Sequence, residues 1–221
     1  MKIGIMGGTF DPVHNGHLEL AETARRQFAL DEIWFLPNGN PPHKKLKQIE
    51  SDVKQRVEMV RLAIDGHPGY LLEPCEAERK EVSCSYKTME YLAKEHPGHE
   101  FYFIIGADSL FAIEKWVHPE KLFPLCTILA AYRDDFAETE AMGNGKACDV
   151  QEYRKEIWEE MSVQIEHLRD KYGAHIELLR SRPVKVSSSR LREMVHGGEE
   201  IHGLVPERVE EYIAEEGLYE S

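Results

Sequence analysis

Six short apolar runs interleaved with helical patterns constrain the fold of this chain more than any other feature. The runs occupy residues 2–6, 32–36, 70–72, 101–105, 127–131 and 176–179. Each has the length of a strand and ends in glycine, proline or polar residues. Helical spacing appears between them. Residues 16–28 carry Leu18, Leu20, Ala21, Ala24 and Phe28 on one side, and residues 52–65 carry Val53, Val57, Val60 and Ile64. Residues 85–95 form a further helix, and residues 151–172 a long charged one with Ile157, Met161, Ile165 and Leu168 in a stripe. Two short helices, 188–195 and 206–215, close the pattern. Strands apolar on both faces, alternating with helices, predict an α/β fold. The expected form is a Rossmann-like doubly wound parallel sheet of about six strands, helices on both faces and a C-terminal helical pair. A chain of 221 residues is long enough for one substantial core, so residues 1–221 are taken as one domain.

Composition narrows the function classes. No apolar run approaches the ~20 residues that span a bilayer, and residues 1–5 lack the apolar length of a signal peptide. A cytoplasmic protein with no membrane partner is expected. The four cysteines are scattered without a Cys-x-x-Cys pair, so a thiolate zinc site is not expected and the thiols are read as reduced. A formal net charge of −13 opposes non-specific nucleic-acid binding, and no nucleic-acid partner is expected. An acidic protein still binds phosphates where its cations are gathered locally.

In open parallel sheets ligands collect beyond the carboxyl ends of the strands. The stretch at the first such end is Gly7-Gly8-Thr9-Phe10-Asp11-Pro12-Val13-His14-Asn15-Gly16-His17. Paired glycines let the backbone turn tightly and bring its amides near a ligand. The helix that follows offers unpaired N–H groups and a partial positive charge, which suits a phosphate. His14 and His17, three apart at a helix start, can point the same way and donate to phosphoryl oxygens. Histidines that merely cap or face water, and a glycine turn with no ligand, are the blander alternatives. No third ligand with metal spacing follows, so no protein metal site is expected.

With His14-Asn15-Gly16-His17 preceded by Gly7-Gly8-Thr9-Phe10-Asp11-Pro12, the chain resembles the His-x-Gly-His nucleotidyltransferases, and among them the bacterial nicotinate-nucleotide adenylyltransferases. The likeness continues through Pro41-Pro42-His43-Lys44, residues 103–110, Trp116, the serine run before Arg192 and the ending Glu216-Gly217-Leu218-Tyr219. It implies adenylyl transfer from ATP to nicotinate mononucleotide, giving nicotinate adenine dinucleotide and pyrophosphate in NAD biosynthesis. The attack would be direct and in line, with no covalent intermediate. By this resemblance His14, His17 and Arg192 are catalytic. Gly7, Gly8, Thr9, Phe10, Ser187, Ser188 and Ser189 bind ATP. Asn38, His43, Lys44, Ser85, Asp108 and Trp116 bind the mononucleotide. Mg2+ is expected on the phosphates. Cys84 and Lys87 stand where the family usually has tyrosine and aspartate, but the helix-start amides would still favour nicotinate over nicotinamide. Residues 135–172, roughly, have no counterpart in the typical member and form a helical insertion: a surface helix, a lid, or a contact in a homo-oligomer.

Two other readings stay open. One is a different mononucleotide adenylyltransferase of the same superfamily, such as the phosphopantetheine type, which typically has threonine at the His14 position and a shorter chain. The other is a regulator that binds ATP without turning it over.

Overall fold

The structure, a computed structural model, describes residues 1–40, 49–79, 81–131, 150–180 and 186–220. Its strands are β1 (Lys2–Gly8), β2 (Glu32–Pro37), β3 (Tyr70–Leu72), β4 (Glu100–Gly106), β5 (Thr127–Ala131) and β6 (Ile176–Leu179). They form one sheet in the order β3-β2-β1-β4-β5-β6, with every pairing parallel. The described helices are α1 (Asn15–Phe28), α2 (Val53–Ile64), α3 (Ser85–Glu95), α4 (Ala107–Ala112), α5 (Pro119–Leu122), α6 (Val150–Tyr172), α7 (Ser188–His196) and α8 (Glu207–Glu215). The fold is the doubly wound α/β sheet expected from the alternation.

The strands are apolar over most of their length because alternate residues feed two cores. Ile3, Ile5, Trp34, Leu36, Phe101 and Phe103 enter one core, and Met6, Ile33, Phe35, Ile104 and Leu129 the other. Helices α1, α2, α7 and α8 cover the second core through residues such as Ala24, Val60, Leu191 and Ile213. Helices α3, α4, α5 and α6 cover the first through Leu92, Leu110, Leu122 and Leu168. Each large aliphatic side chain so buried contributes about 1.5–3 kcal/mol.

Three differences from the sequence pattern have physical causes. First, the buried face of α2 is Arg56, Met59, Val60, Ala63 and Ile64, while Val53 and Val57 are only half-buried. An arginine joins that face because its guanidinium finds backbone oxygens there, as described below. Second, residues 107–125 show no periodicity in sequence, yet they hold α4, α5 and two 3-10 turns. Segments of three to six residues are too short to display a period. Third, α6 belongs to the sheet as the crossover from β5 to β6. Met161, Ile165 and Leu168 are buried beside Ile128 and Ile176, so the chain's own core covers the stripe. Residues 132–149, the start of the expected insertion, lie outside the described residues.

Candidate active site

The strand order reverses at β1, which pairs with β2 on one side and β4 on the other. A crevice forms at the carboxyl ends of strands that diverge in this way. Here it is a cleft of about 670 Å³. Gly7, Gly8, Thr9 and His17 line it from the β1 end, Asn38 from β2, and Gly106 and Asp108 from β4. Ser85 and Trp116 complete the set of expected residues on its walls.

Local geometry sets the histidines. His14 is the N-cap of α1 with extended backbone, which puts His17 at the third helical position. The His17 Nδ1 accepts the backbone N–H of His14 at 3.2 Å. A neutral imidazole that accepts at Nδ1 carries its proton at Nε2, so Nε2–H is a donor. The two imidazoles stack with centroids 3.7 Å apart. His14 is only 2% exposed and supports His17 from behind, while His17 reaches the cleft. Gly16 makes this stack sterically feasible: a Cβ there would lie 3.0 Å from the His14 ring. Phe10 takes a left-handed backbone with φ 53°, which costs a bulky residue on the order of 1–3 kcal/mol. Its ring is in the core, edge-on to His17 at 5.0 Å, so only its backbone is left for the expected ATP contact.

The second expected phosphate element lies against the first. The Ser188 hydroxyl donates to the carbonyl of Pro12 at 2.9 Å, and an Arg192 N–H donates to the carbonyl of Asp11 at 2.7 Å. Ser187 caps α7, its hydroxyl accepting from the Arg190 amide, and Ser189 is exposed beside it. Arg192 also donates through Nε to Glu50 at 2.9 Å. Glu50 in turn meets His196. His14, His17, Ser188 and Arg192 are thus gathered around residues 11–17.

On the other wall, Asn38 donates to the Thr9 hydroxyl at 3.4 Å, so the ends of β1 and β2 are joined. Ser85 opens α3, whose N-cap Cys84 makes no side-chain cap bond. Asp108 is exposed in the first turn of α4. Trp116 stands edge-on to Phe103 at 6.3 Å. The segment before it is anchored by Glu114, which meets Lys171 at 2.8 Å and also His167 and Tyr172. The Lys171 ammonium, aided by the other two donors, holds the Glu114 carboxyl at about 2. The expected contacts His43 and Lys44 lie outside the described residues.

Three features escape a reading of the sequence. Asp11, 1% exposed, accepts from Ser51 and from the Tyr219 hydroxyl at 2.8 Å, tying the first loop to the C-terminal end. Burial and the Asp11 charge push the Tyr219 phenol up from its ordinary value. Glu76 is a buried carboxyl on the cleft wall, hydrogen-bonded by Thr88 at 2.5 Å, and burial raises its pKa. Arg56 is buried beneath the cleft, and burial lowers its pKa while nearby Asp11 opposes that shift. Asp11 and Tyr219 stand in motifs that carry the family likeness, but their pairing is not readable there; Arg56 left a local trace, a charge one turn before Val60 on an apolar helix face. Among the described residues no group of three or more His, Cys, Asp or Glu is placed to hold a metal ion. No described helix is long and apolar enough to cross a membrane.

The fold and this site define a cytidylyltransferase-like protein, and the model of that family matches residues 5–194. A protein of Lachnoclostridium phytofermentans is 40% identical over 99% of this chain and 98% of its own length, and one of Geobacter sp. is 36% identical over the same shares. Both carry the name "Probable nicotinate-nucleotide adenylyltransferase". The chain belongs to the nicotinate-nucleotide adenylyltransferase family. Among solved structures, the nicotinic acid mononucleotide adenylyltransferase of Plasmodium falciparum complexed with NaAD superposes with a TM-score of 0.72. It shares 20% sequence identity, over 99% of this chain and 97% of that one, and this likeness supports the fold.

Proposed function

We propose that this protein transfers the adenylyl group of ATP to nicotinate mononucleotide, releasing pyrophosphate, by direct in-line attack. The observation that carries the reading is the meeting of two phosphate elements around residues 11–17, beside a cleft with a separate aromatic wall at Trp116. Transfer between phosphates asks for positioning and charge stabilisation, and no enzyme nucleophile is needed. His17 donates through Nε2–H to the α-phosphate, with His14 stacked behind it. The amides of Gly8 and Thr9 and the first turn of α1 face the same group. Arg192 takes the β- and γ-phosphates with Ser187, Ser188 and Ser189, exchanging its Glu50 partner for phosphate oxygens. A divalent ion such as Mg2+, carried in with ATP, would supply further neutralisation of the leaving pyrophosphate, and no described residue is assigned to hold it. On the other wall, Trp116 stacks on the pyridine ring, Asp108 and Asn38 hold the ribose and phosphate, and the start of α3 at Ser85 receives the carboxylate. His43 and Lys44 are assigned to the mononucleotide phosphate on the family resemblance alone.

A pyrophosphate-release assay with ATP, Mg2+ and a panel of mononucleotides tests this. Turnover is expected with nicotinate mononucleotide, and at least tenfold lower kcat/KM with the nicotinamide form. Equal efficiency with both would remove the α3 carboxylate site, and turnover only with phosphopantetheine would replace the reading.

A further inference from the structure

Arg56 sits on α2, outside every motif that carries the family likeness, yet it is 1% exposed and lies beneath the cleft. Its guanidinium donates to the carbonyl of Thr9 at 2.7 Å, to the Asn38 side-chain oxygen at 3.4 Å and to the carbonyl of Gly39 at 3.3 Å. Those acceptors belong to the two loops that leave the carboxyl ends of β1 and β2. All three are neutral oxygens. Burying a charge without a contacting carboxylate is expensive, and a fold keeps such a group only where it supplies several well-aimed bonds. The fork of the guanidinium is what lets one side chain serve both loops. A second anchor meets the same segment from its other side, where the Ser83 hydroxyl accepts the amides of Gly39 and Asn40. A Cβ on Gly39 would fall 2.3 Å from the Glu76 carbonyl, so the segment has no room to shift toward the turn at residues 75–78.

We infer that Arg56 is a positioning residue for adenylyl transfer. It locks Thr9 on the ATP side to Asn38 on the mononucleotide side, and sets the distance between the two substrates. It also places a buried positive charge under the phosphate loop. This rests on the proposed function, so turnover of the unaltered chain with ATP and nicotinate mononucleotide is measured first, and its absence would count against that function. Arg56→Lys keeps the charge and loses the fork, and Arg56→Met loses both. At a temperature well below each melting point, Arg56→Lys is expected to lower kcat on the order of tenfold, and to raise the KM of each substrate less than that. Arg56→Met is expected to lose about a further tenfold. Asn38→Ala combined with Arg56→Lys should cost little more than the larger single loss, because both break one linkage. Losses that multiply, or an Arg56→Lys enzyme within twofold of the unaltered one, would overturn the inference. If neither variant folds, NMR of the unaltered chain decides. A rotation-locked Arg56 guanidinium whose resonances shift when ATP and nicotinate mononucleotide bind supports the linkage, and freely rotating or unshifted resonances refute it.

Discussion

Replacing His17 by alanine separates the chemistry of the site from the stability of the helix that carries it. The imidazole makes two kinds of interaction. Its Nδ1 accepts the His14 amide at 3.2 Å, and its ring stacks on His14 at 3.7 Å and makes an edge contact with Phe10 at 5.0 Å. Loss of a helix-start bond costs ~1 kcal/mol, and loss of each of the two ring contacts about 0.5–1.5 kcal/mol. With roughly 2–4 °C of melting temperature per kcal/mol for a chain of this size, His17→Ala should melt about 4–16 °C lower. The missing Nε2–H donor should cost far more in rate, about 10²–10³ in kcat, or ~2.7–4 kcal/mol of transition-state stabilisation. His17→Gln then divides the two effects. Glutamine at the third helical position is a normal partner for the N-cap amide, so part of the melting temperature should return. Its donor does not reach where Nε2 reached, so kcat should stay low. Pyrophosphate release under saturating ATP and nicotinate mononucleotide, with melting curves on the same samples, reads both quantities. The reasoning fails if His17→Ala keeps kcat within threefold, or if glutamine restores rate along with stability.

Arg192→Lys cannot serve the Asp11 carbonyl and a pair of phosphate oxygens at once, so kcat/KM for ATP should fall on the order of tenfold to a hundredfold in initial-rate assays. Glu114→Gln probes a carboxyl whose folded-state value, about 2, lies below its ordinary 4.5. The charged form is therefore the one favoured by folding. The melting-temperature gap between the unaltered chain and Glu114→Gln should be full above pH 4.5 and vanish as pH falls through about 2; a gap independent of pH would dismiss the Lys171 contact as its source. Met161→Ala should cost about 2–5 kcal/mol by chemical denaturation, since Met161 is fully buried under the sheet. Val163→Ala, two residues on and 68% exposed, should change stability by less than ~0.5 kcal/mol.

Much of this molecule is legible one residue at a time. The period-two and period-3.6 patterns name the strands and long helices because each element must bury a face of its own. The ends of the helices expected at 16–28, 52–65, 151–172, 188–195 and 206–215 fall within one residue of those observed. Gly16 and the two histidines around it are readable because the spacing sits within one helical turn. What the pattern left open is also instructive. Phe10 sits among the polar residues of the first loop, yet its ring is a core side chain that holds His17. The apolar stripe on α6, with no evident partner in sequence, is buried in the core it shares with α4, β5 and β6.

By itself the sequence determined the sheet, its winding and the tight loop proposed to hold a phosphate, since all three follow from local periodicity and backbone freedom. The meeting of Arg192 with Asp11, 181 residues apart, was decided only by tertiary structure. So were the tie from Tyr219 to Asp11 and the seating of Arg56 under Thr9 and Asn38. The reason is physical: a hydrogen bond between distant segments depends on where the strand order brings their ends, and no local spacing records that placement.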